Sequence, residues 1–162
     1  MTRLRVPVQL RWADMDAYGH VNNVQMLQLL EEARIEAFWT HSEAPDAERP
    51  TAVLDAGPGA DTTTLVARQE IEYLRPLAYR RTPVVIELWV GHIGGASIDV
   101  CYQVLDGASG DSDPYARACT TVVLVDTATG RPRRISEAER AAWSPYLGEM
   151  MALRRRRPAD AG

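Results

Sequence analysis

Apolar and polar residues alternate along Val6-Pro7-Val8-Gln9-Leu10-Arg11-Trp12, with Val6, Val8, Leu10 and Trp12 on one side. A period of two predicts a half-buried strand over 6–12, and Pro7, which has no N–H for a ladder bond, places it at an edge or a strand start. A polar loop over 13–21 leads to a helical pattern over about 23–41, ended by Ser42-Glu43-Ala44-Pro45. Asn22 suits the N-cap, and Gln25 at the third helical position makes an approximate capping box. Residues 43–61 are rich in Pro, Gly, Asp and Ala and read as an irregular connection, which at that length in a small domain is often a functional lid.

Four strand patterns follow, over 65–74, 84–92, 96–105 and 115–125. In the first, Ala67, Gln69, Ile71 and Tyr73 share one face, with Arg68, Glu70 and Glu72 on the other. Gly94-Gly95 marks a hairpin between the second and third. Ser136 with Glu139 three residues on is a capping box that opens a short helix, stopped by Pro145. One strand, one long helix and four strands predict an α+β domain, a five-stranded antiparallel sheet with the helix against one face. The strands do not alternate with helices, and neither GxGxxG nor GxxxxGK[ST] occurs, so dinucleotide and P-loop folds are excluded.

At ~100° per residue, Gln25, Gln28, Glu32 and Glu36 form the wet wedge of the long helix, and Met26, Leu27, Leu29, Leu30, Ala33, Ala37 and Phe38 fill most of the rest. Glu31 and Arg34 fall inside the apolar arc, three apart and within reach of one another. A buried charge is paired or put to use. The two readings are an ion pair, internal or between subunits, and a Glu31 near substrate. The apolar arc exceeds half the circumference, which predicts a homodimer or homotetramer.

The chain of 162 residues is one domain in size, with 46% hydrophobic and 25% charged residues, the balance of an ordinary globular protein. No apolar run approaches the ~20 residues of a membrane span, and the first residues lack the apolar stretch of a secretory signal. A cytoplasmic protein without membrane contact is expected. Cys101 and Cys119 lie in separate strand patterns and predict no disulfide scaffold. Net charge is −4, from 18 basic and 22 acidic residues, which argues against a nucleic-acid partner. The one dense basic run, Arg154-Arg155-Arg156-Arg157, assigns 149–162 to a basic, mobile tail after a single domain over 1–148. His20, His41 and His92 show no ligand spacing with each other or with the cysteines, so no metal or cofactor is expected.

Chemistry concentrates in Arg11-Trp12-Ala13-Asp14-Met15-Asp16-Ala17-Tyr18-Gly19-His20-Val21-Asn22-Asn23. The helix start brings unpaired N–H groups and a positive dipole end, suited to an oxygen that carries negative charge. Gly19 lets the chain turn and admits a ligand close to the backbone. A carboxylate just before such a terminus can attack a carbonyl or deprotonate a water that does. Asp and Asn here are also ordinary caps and turn-formers, so the pattern alone leaves both readings open.

The stretch from Arg11 to Glu36, D-x-D-x-x-G-H-V-N-N followed by L-L-E-E-A-R-I-E, resembles the opening of hotdog-fold thioesterases of the 4-hydroxybenzoyl-CoA thioesterase-like group. Tyr73-Leu74-Arg75-Pro76-Leu77 and the Gly130-Arg131-Pro132 turn are similar too, and the resemblance spans about residues 5–145. It implies a curved antiparallel sheet wrapped around one long helix. It also implies hydrolysis of acyl-CoA or acyl-carrier-protein thioesters at sites between two subunits, coenzyme A entering only as part of the substrate.

Residue by residue, Asp16 matches the group's catalytic carboxylate, and Asn23 the position whose backbone N–H polarises the thioester carbonyl. The HVNN version is similar to plant acyl-acyl-carrier-protein thioesterases, which makes His20 a secondary candidate that orients substrate or relays a proton. Asp14 is expected to hold the loop. Met26 stands where many relatives have an aromatic residue, and Tyr18 where they have Pro, Ala or Asn; both are expected to shape the acyl pocket. The substrate-contact set is thus Tyr18, Gly19, Val21, Asn22, Asn23 and Met26, with Glu31 as a further catalytic candidate. Arg75, Arg80, Arg81, Arg131, Arg133 and Arg134 are available to coenzyme A phosphates, and none is singled out. Hotdog hydratases and dehydratases use D-x-N-P-x-H and a following Asp-Pro; here Asp16 to His20 is one residue short and Asn22-Asn23 replace Asp-Pro. A non-catalytic acyl-binding module of the same fold is the remaining alternative.

Overall fold

A computed structural model describes residues 2–40, 49–107 and 113–154. Its strands are β1 (Leu4–Val8), β2 (Thr62–Tyr73), β3 (Val84–Ile93), β4 (Ser97–Leu105) and β5 (Ala116–Asp126), and its helices α1 (Asn23–Phe38) and α2 (Glu137–Trp143). The strands form one antiparallel sheet in the order β1-β3-β4-β5-β2. Alternate residues of the three inner strands, among them Ile86, Leu88 and Val90, Val100, Tyr102 and Val104, and Ala118, Thr120 and Val122, bury one face of this curved sheet. Against that face lies α1, burying Met26, Leu29, Leu30, Ala33, Ala37 and Phe38. This is the hotdog arrangement that the resemblance implies. Among the described residues no helix is long and apolar enough to cross a membrane.

Several boundaries move from where the local pattern places them. The first strand ends at Val8; Trp12 begins a 3-10 turn over Trp12–Asp14 and stands 76% exposed, edge-on to Tyr79, instead of facing the core. The helix stops at Phe38 because Thr40 N–H and the Phe38 carbonyl both pair with the backbone of Leu54. His41 and Ser42-Glu43-Ala44-Pro45 lie outside the described residues. Asn22 caps α1 through Val24 N–H, but Gln25 completes no capping box; its carboxamide lies near the Arg11 guanidinium. From the 43–61 connection, Thr51 and Leu54 are buried, with Thr51 bonded to the Ala37 carbonyl and to the Trp143 indole N–H, so this part plugs the C-terminal end of α1.

Strand β2 begins three residues before its pattern and bulges between Val66 and Arg68. As an edge strand it seals neither face, and the expected division between Ala67, Gln69, Ile71, Tyr73 and their charged neighbours buries little on either side. The Gly94-Gly95 hairpin forms, closed by Gly94 N–H on the Ser97 carbonyl. Ser136 and Glu139 form their capping box at the start of α2, which ends before Pro145. Beyond it, residues 147–154 cross the sheet face turned away from α1: Gly148 N–H bonds the Val90 carbonyl and Arg154 N–H the Glu72 carboxylate. Residues 149–154 of the expected tail therefore lie on the sheet; residues 155–162 are outside the description.

Glu139 also takes two bonds from the Arg133 guanidinium, at 2.6 and 3.0 Å. Burial raises its carboxyl, but the bonds from Arg133 and Ser136 outweigh burial and hold it below its ordinary value. A carboxyl that binds protons more weakly folded than unfolded adds stability above its unfolded value of about 4.3, and that stability is lost as pH falls through the folded value. Glu139→Gln is expected to lower stability near neutral pH and to shrink the further loss as pH falls below the unfolded value of about 4.3, read by denaturant unfolding of both proteins.

Candidate active site

The loop between β1 and α1 is organised by Asp14. Its carboxylate is fully buried and accepts from Arg11 N–H (2.7 Å), Nε (3.0 Å) and Nη2 (2.8 Å), while its carbonyl accepts from Asn22 N–H (2.8 Å). The same contacts raise the Arg11 guanidinium above its ordinary value, its hydrogen bonds with Asp14 first. Asp14 thus holds the loop, as the sequence suggests.

The next residues fold back on themselves. Met15 pairs with Val21, and Asp16 N–H bonds the His20 carbonyl at 2.9 Å. Gly19, at φ +78°, makes the reversal that an L side chain resists. Asp16 Oδ1 accepts from the N–H groups of Tyr18 (2.8 Å) and His20 (3.4 Å), while Oδ2 carries no hydrogen bond among the described residues. The side chain is half-buried, fixed by one oxygen with the other free.

Beyond the turn, Val21 N–H bonds the Leu77 carbonyl at 2.7 Å and His20 bridges Ala78, which ties the loop to the chain leaving β2. Asn22 Oδ1 takes Val24 N–H at 2.9 Å. Asn23 N–H, first in the helix, has no partner among the described residues. Tyr73, at the end of β2, donates its hydroxyl to the Asn23 carbonyl at 2.8 Å, and burial raises the pKa of that phenol.

A cleft of about 390 Å³ opens here, lined by Asp16, His20, Val21, Asn23, Met26 and residues 73–77. Five residues that the sequence singles out therefore meet in one place. Tyr18 (86% exposed) and Gly19 ride on the outside of the turn, and Asn22 serves as the cap. Glu31 does not line this cleft. Its exposed carboxylate pairs with the buried Arg34 guanidinium at 3.4 Å, and Arg34 also reaches the Tyr102 hydroxyl at 3.2 Å. Sequence reading missed Tyr73 as a site residue; it lies 50 positions from its partner, and no local spacing joins them. Of the candidate phosphate-binding arginines, Arg75 is at the cleft, stacked over the Tyr115 ring and bonded to the Asp113 carbonyl. Arg80 is paired with Asp106 and Arg133 with Glu139. Among the described residues no group of three or more His, Cys, Asp or Glu is placed to hold a metal ion.

The family described as the thioesterase-like superfamily matches residues 10–149. Among solved structures, the PA5185 protein of Pseudomonas aeruginosa strain PAO1 is 25% identical, with a TM-score of 0.73 over 91% of this chain and 94% of that one. The PA2801 protein of Pseudomonas aeruginosa is 28% identical, with a TM-score of 0.66 over 86% and 95%. A Thermus thermophilus thioesterase, solved in complex with coenzyme A and zinc, is 25% identical, with a TM-score of 0.62 over 91% and 96%. No curated protein matches the chain.

The two asparagines divide the labour at the helix start. Asn22→Ala removes the side-chain cap and is expected to cost about 1 kcal/mol. Asn23→Ala deletes a side chain that makes no hydrogen bond and leaves stability near wild type, with thermal or denaturant unfolding as the check.

Proposed function

Because the chain belongs to the thioesterase-like superfamily, we propose that it hydrolyses an acyl thioester, of coenzyme A or an acyl carrier protein, to free acid and thiol. One observation carries this: Asp16, with an unbonded carboxylate oxygen, lines the same cleft as the unpartnered N–H of Asn23. The thioester carbonyl accepts from Asn23 N–H at the positive end of α1, where a developing oxyanion is stabilised without reorganisation. Asp16 either attacks the carbonyl carbon or takes a proton from a water that does so. In the first case the thiolate leaves an acyl–Asp16 anhydride, which water cleaves; in the second the tetrahedral adduct expels the thiolate directly. Each route consumes one water and releases a carboxylic acid and a thiol. His20, exposed on the cleft rim, orients substrate or passes a proton to the leaving sulfur. Met26, buried in the cleft lining, bounds the acyl group.

The reading includes a second copy of the chain. The free edge of β2 exposes Leu65, Val66 and Tyr73, and the following Leu74 is exposed beside the cleft. An unpaired strand edge with apolar side chains is a template for another chain. A partner along β2 would close over Tyr73 and Leu74, and so over the site. The reaction is taken to be cytoplasmic and to need no cofactor beyond the coenzyme A of its substrate.

The test is a panel of acyl-CoA and acyl-carrier-protein thioesters with free-thiol detection. Asp16→Asn is expected to lower turnover by at least ~10²-fold, with a smaller loss for His20→Ala. Equal turnover by wild type and Asp16→Asn removes the acid from its role; no turnover on any substrate favours an acyl-binding module. In a single-turnover reaction in ¹⁸O-water, label in the Asp16 carboxylate identifies the anhydride route with water attacking the Asp16 carbonyl carbon. For the assembly, light scattering is expected to give a dimer or tetramer, and an active strict monomer overturns the shared site.

A further inference from the structure

Two cysteines and a methionine meet on the sheet face turned away from α1. Cys101 of β4 and Cys119 of β5 are direct partners in the antiparallel ladder, so their side chains project from the same face. The segment after α2 crosses that face, held by Gly148 N–H on the Val90 carbonyl (2.9 Å) and the Trp89 indole N–H on the Glu149 carbonyl (2.8 Å). It sets Met150 over the pair, with Sδ 3.7 Å from Cys101 Sγ and 3.6 Å from Cys119 Sγ. Each thiol donates to Met150 Sδ, and neither cysteine is in a disulfide.

Gly91 of β3 makes the space. A Cβ there would lie 2.9 Å from Cys101 Sγ and 3.0 Å from Met150 Sδ, so the three sulfurs fit because residue 91 has no side chain.

We propose that Cys101, Cys119 and Met150 form a binding site for a soft monovalent metal ion, of which Cu(I) is the type. Thiolate and thioether donors select Cu(I), whereas harder divalent ions favour oxygen and nitrogen. Metal–sulfur bonds of ~2.3 Å in a trigonal plane put the sulfurs ~4.0 Å apart, close to the 3.7 and 3.6 Å that separate Met150 Sδ from the two cysteine sulfurs. The unbranched Met150 side chain takes up the remaining adjustment. Binding releases one proton from each thiol and leaves a site of net charge minus one.

The surroundings prepare the first of these steps. Met151 N–H bonds Cys101 Sγ at 3.4 Å, placed to favour the thiolate. Cys119 is half-buried, which leaves an entry path from solvent. Zinc prefers four donors, and none of the described His, Asp or Glu side chains joins the two cysteines in a metal-holding group. Bound metal would fasten residues 147–154 to β4 and β5, on the face away from the catalytic cleft.

The test is oxygen-free titration of the reduced full-length chain with Cu(I), in competition with the chromogenic chelator bicinchoninate. A single equivalent is expected to bind, with an X-ray absorption spectrum of three sulfur neighbours. The Cys101→Ser/Cys119→Ser variant is expected to lose that equivalent. Met150→Leu keeps the apolar volume and is expected to bind at least about tenfold more weakly, with unchanged circular dichroism. Equal retention of copper by wild type and the double variant, a nitrogen or oxygen shell in the spectrum, or tighter binding of Zn(II) than of Cu(I) each overturns the site.

Discussion

A carboxylate cannot sit unanswered in a protein interior, and the way the chain answers Asp14 sets the course of the backbone on either side of it. Arg11 supplies its backbone N–H and its guanidinium from three residues upstream, and that contact can form only if the chain leaves the sheet and turns. The first strand ends accordingly, and Trp12 swings out to solvent. The carbonyl of the same residue then holds the N–H of Asn22, the cap of α1. One buried charge thus fixes both the exit from β1 and the entry to the helix, with residues 15–21 strung between two anchored points.

Two carboxylates stand two residues apart, and their surroundings give them different work. Both oxygens of Asp14 are consumed by Arg11. Asp16 spends one oxygen on its own turn, which fixes its direction, and keeps the other free. Its neighbours in the cleft come from rigid parts of the structure: the first turn of α1, and the end of β2 through the Tyr73 hydroxyl. A site on a helix terminus and a strand end holds its geometry better than one carried by loops alone.

How much of this could be read from the sequence depended on the range of the deciding contact. The Asp16-to-Asn23 cluster was legible because its turn, its glycine and its cap all act within eight residues. The order of strands and helices was legible because α1, β3, β4 and β5 each bury one face and so keep their period. Trp12 misled because alternation continues past the point where Asp14 bends the chain. The end of α1 misled because Leu54 competes for the backbone at 38–40. Arg34 was recognisable as a buried charge, but the Tyr102 hydroxyl that helps to hold it comes from the sheet, 68 residues away. Tyr73 over Asn23, and Met150 over the cysteines, are contacts of the same long-range kind.

The chemistry and the unpaired edge bear on each other. An oxyanion held by one helix-terminal N–H gains most where water is excluded, since the same dipole interaction is weaker in a high dielectric. In the single chain the cleft is open, with the exposed side chains of Tyr73 and Leu74 along its border. These two also mark the end of the free β2 edge. A surface that covers that edge removes apolar area from water and, by the same contact, lowers the dielectric around Asp16 and Asn23. In the proposed reading, assembly and catalysis would then draw on one event of desolvation, for which Asp16 would have to lie at the margin of the subunit and not in its core.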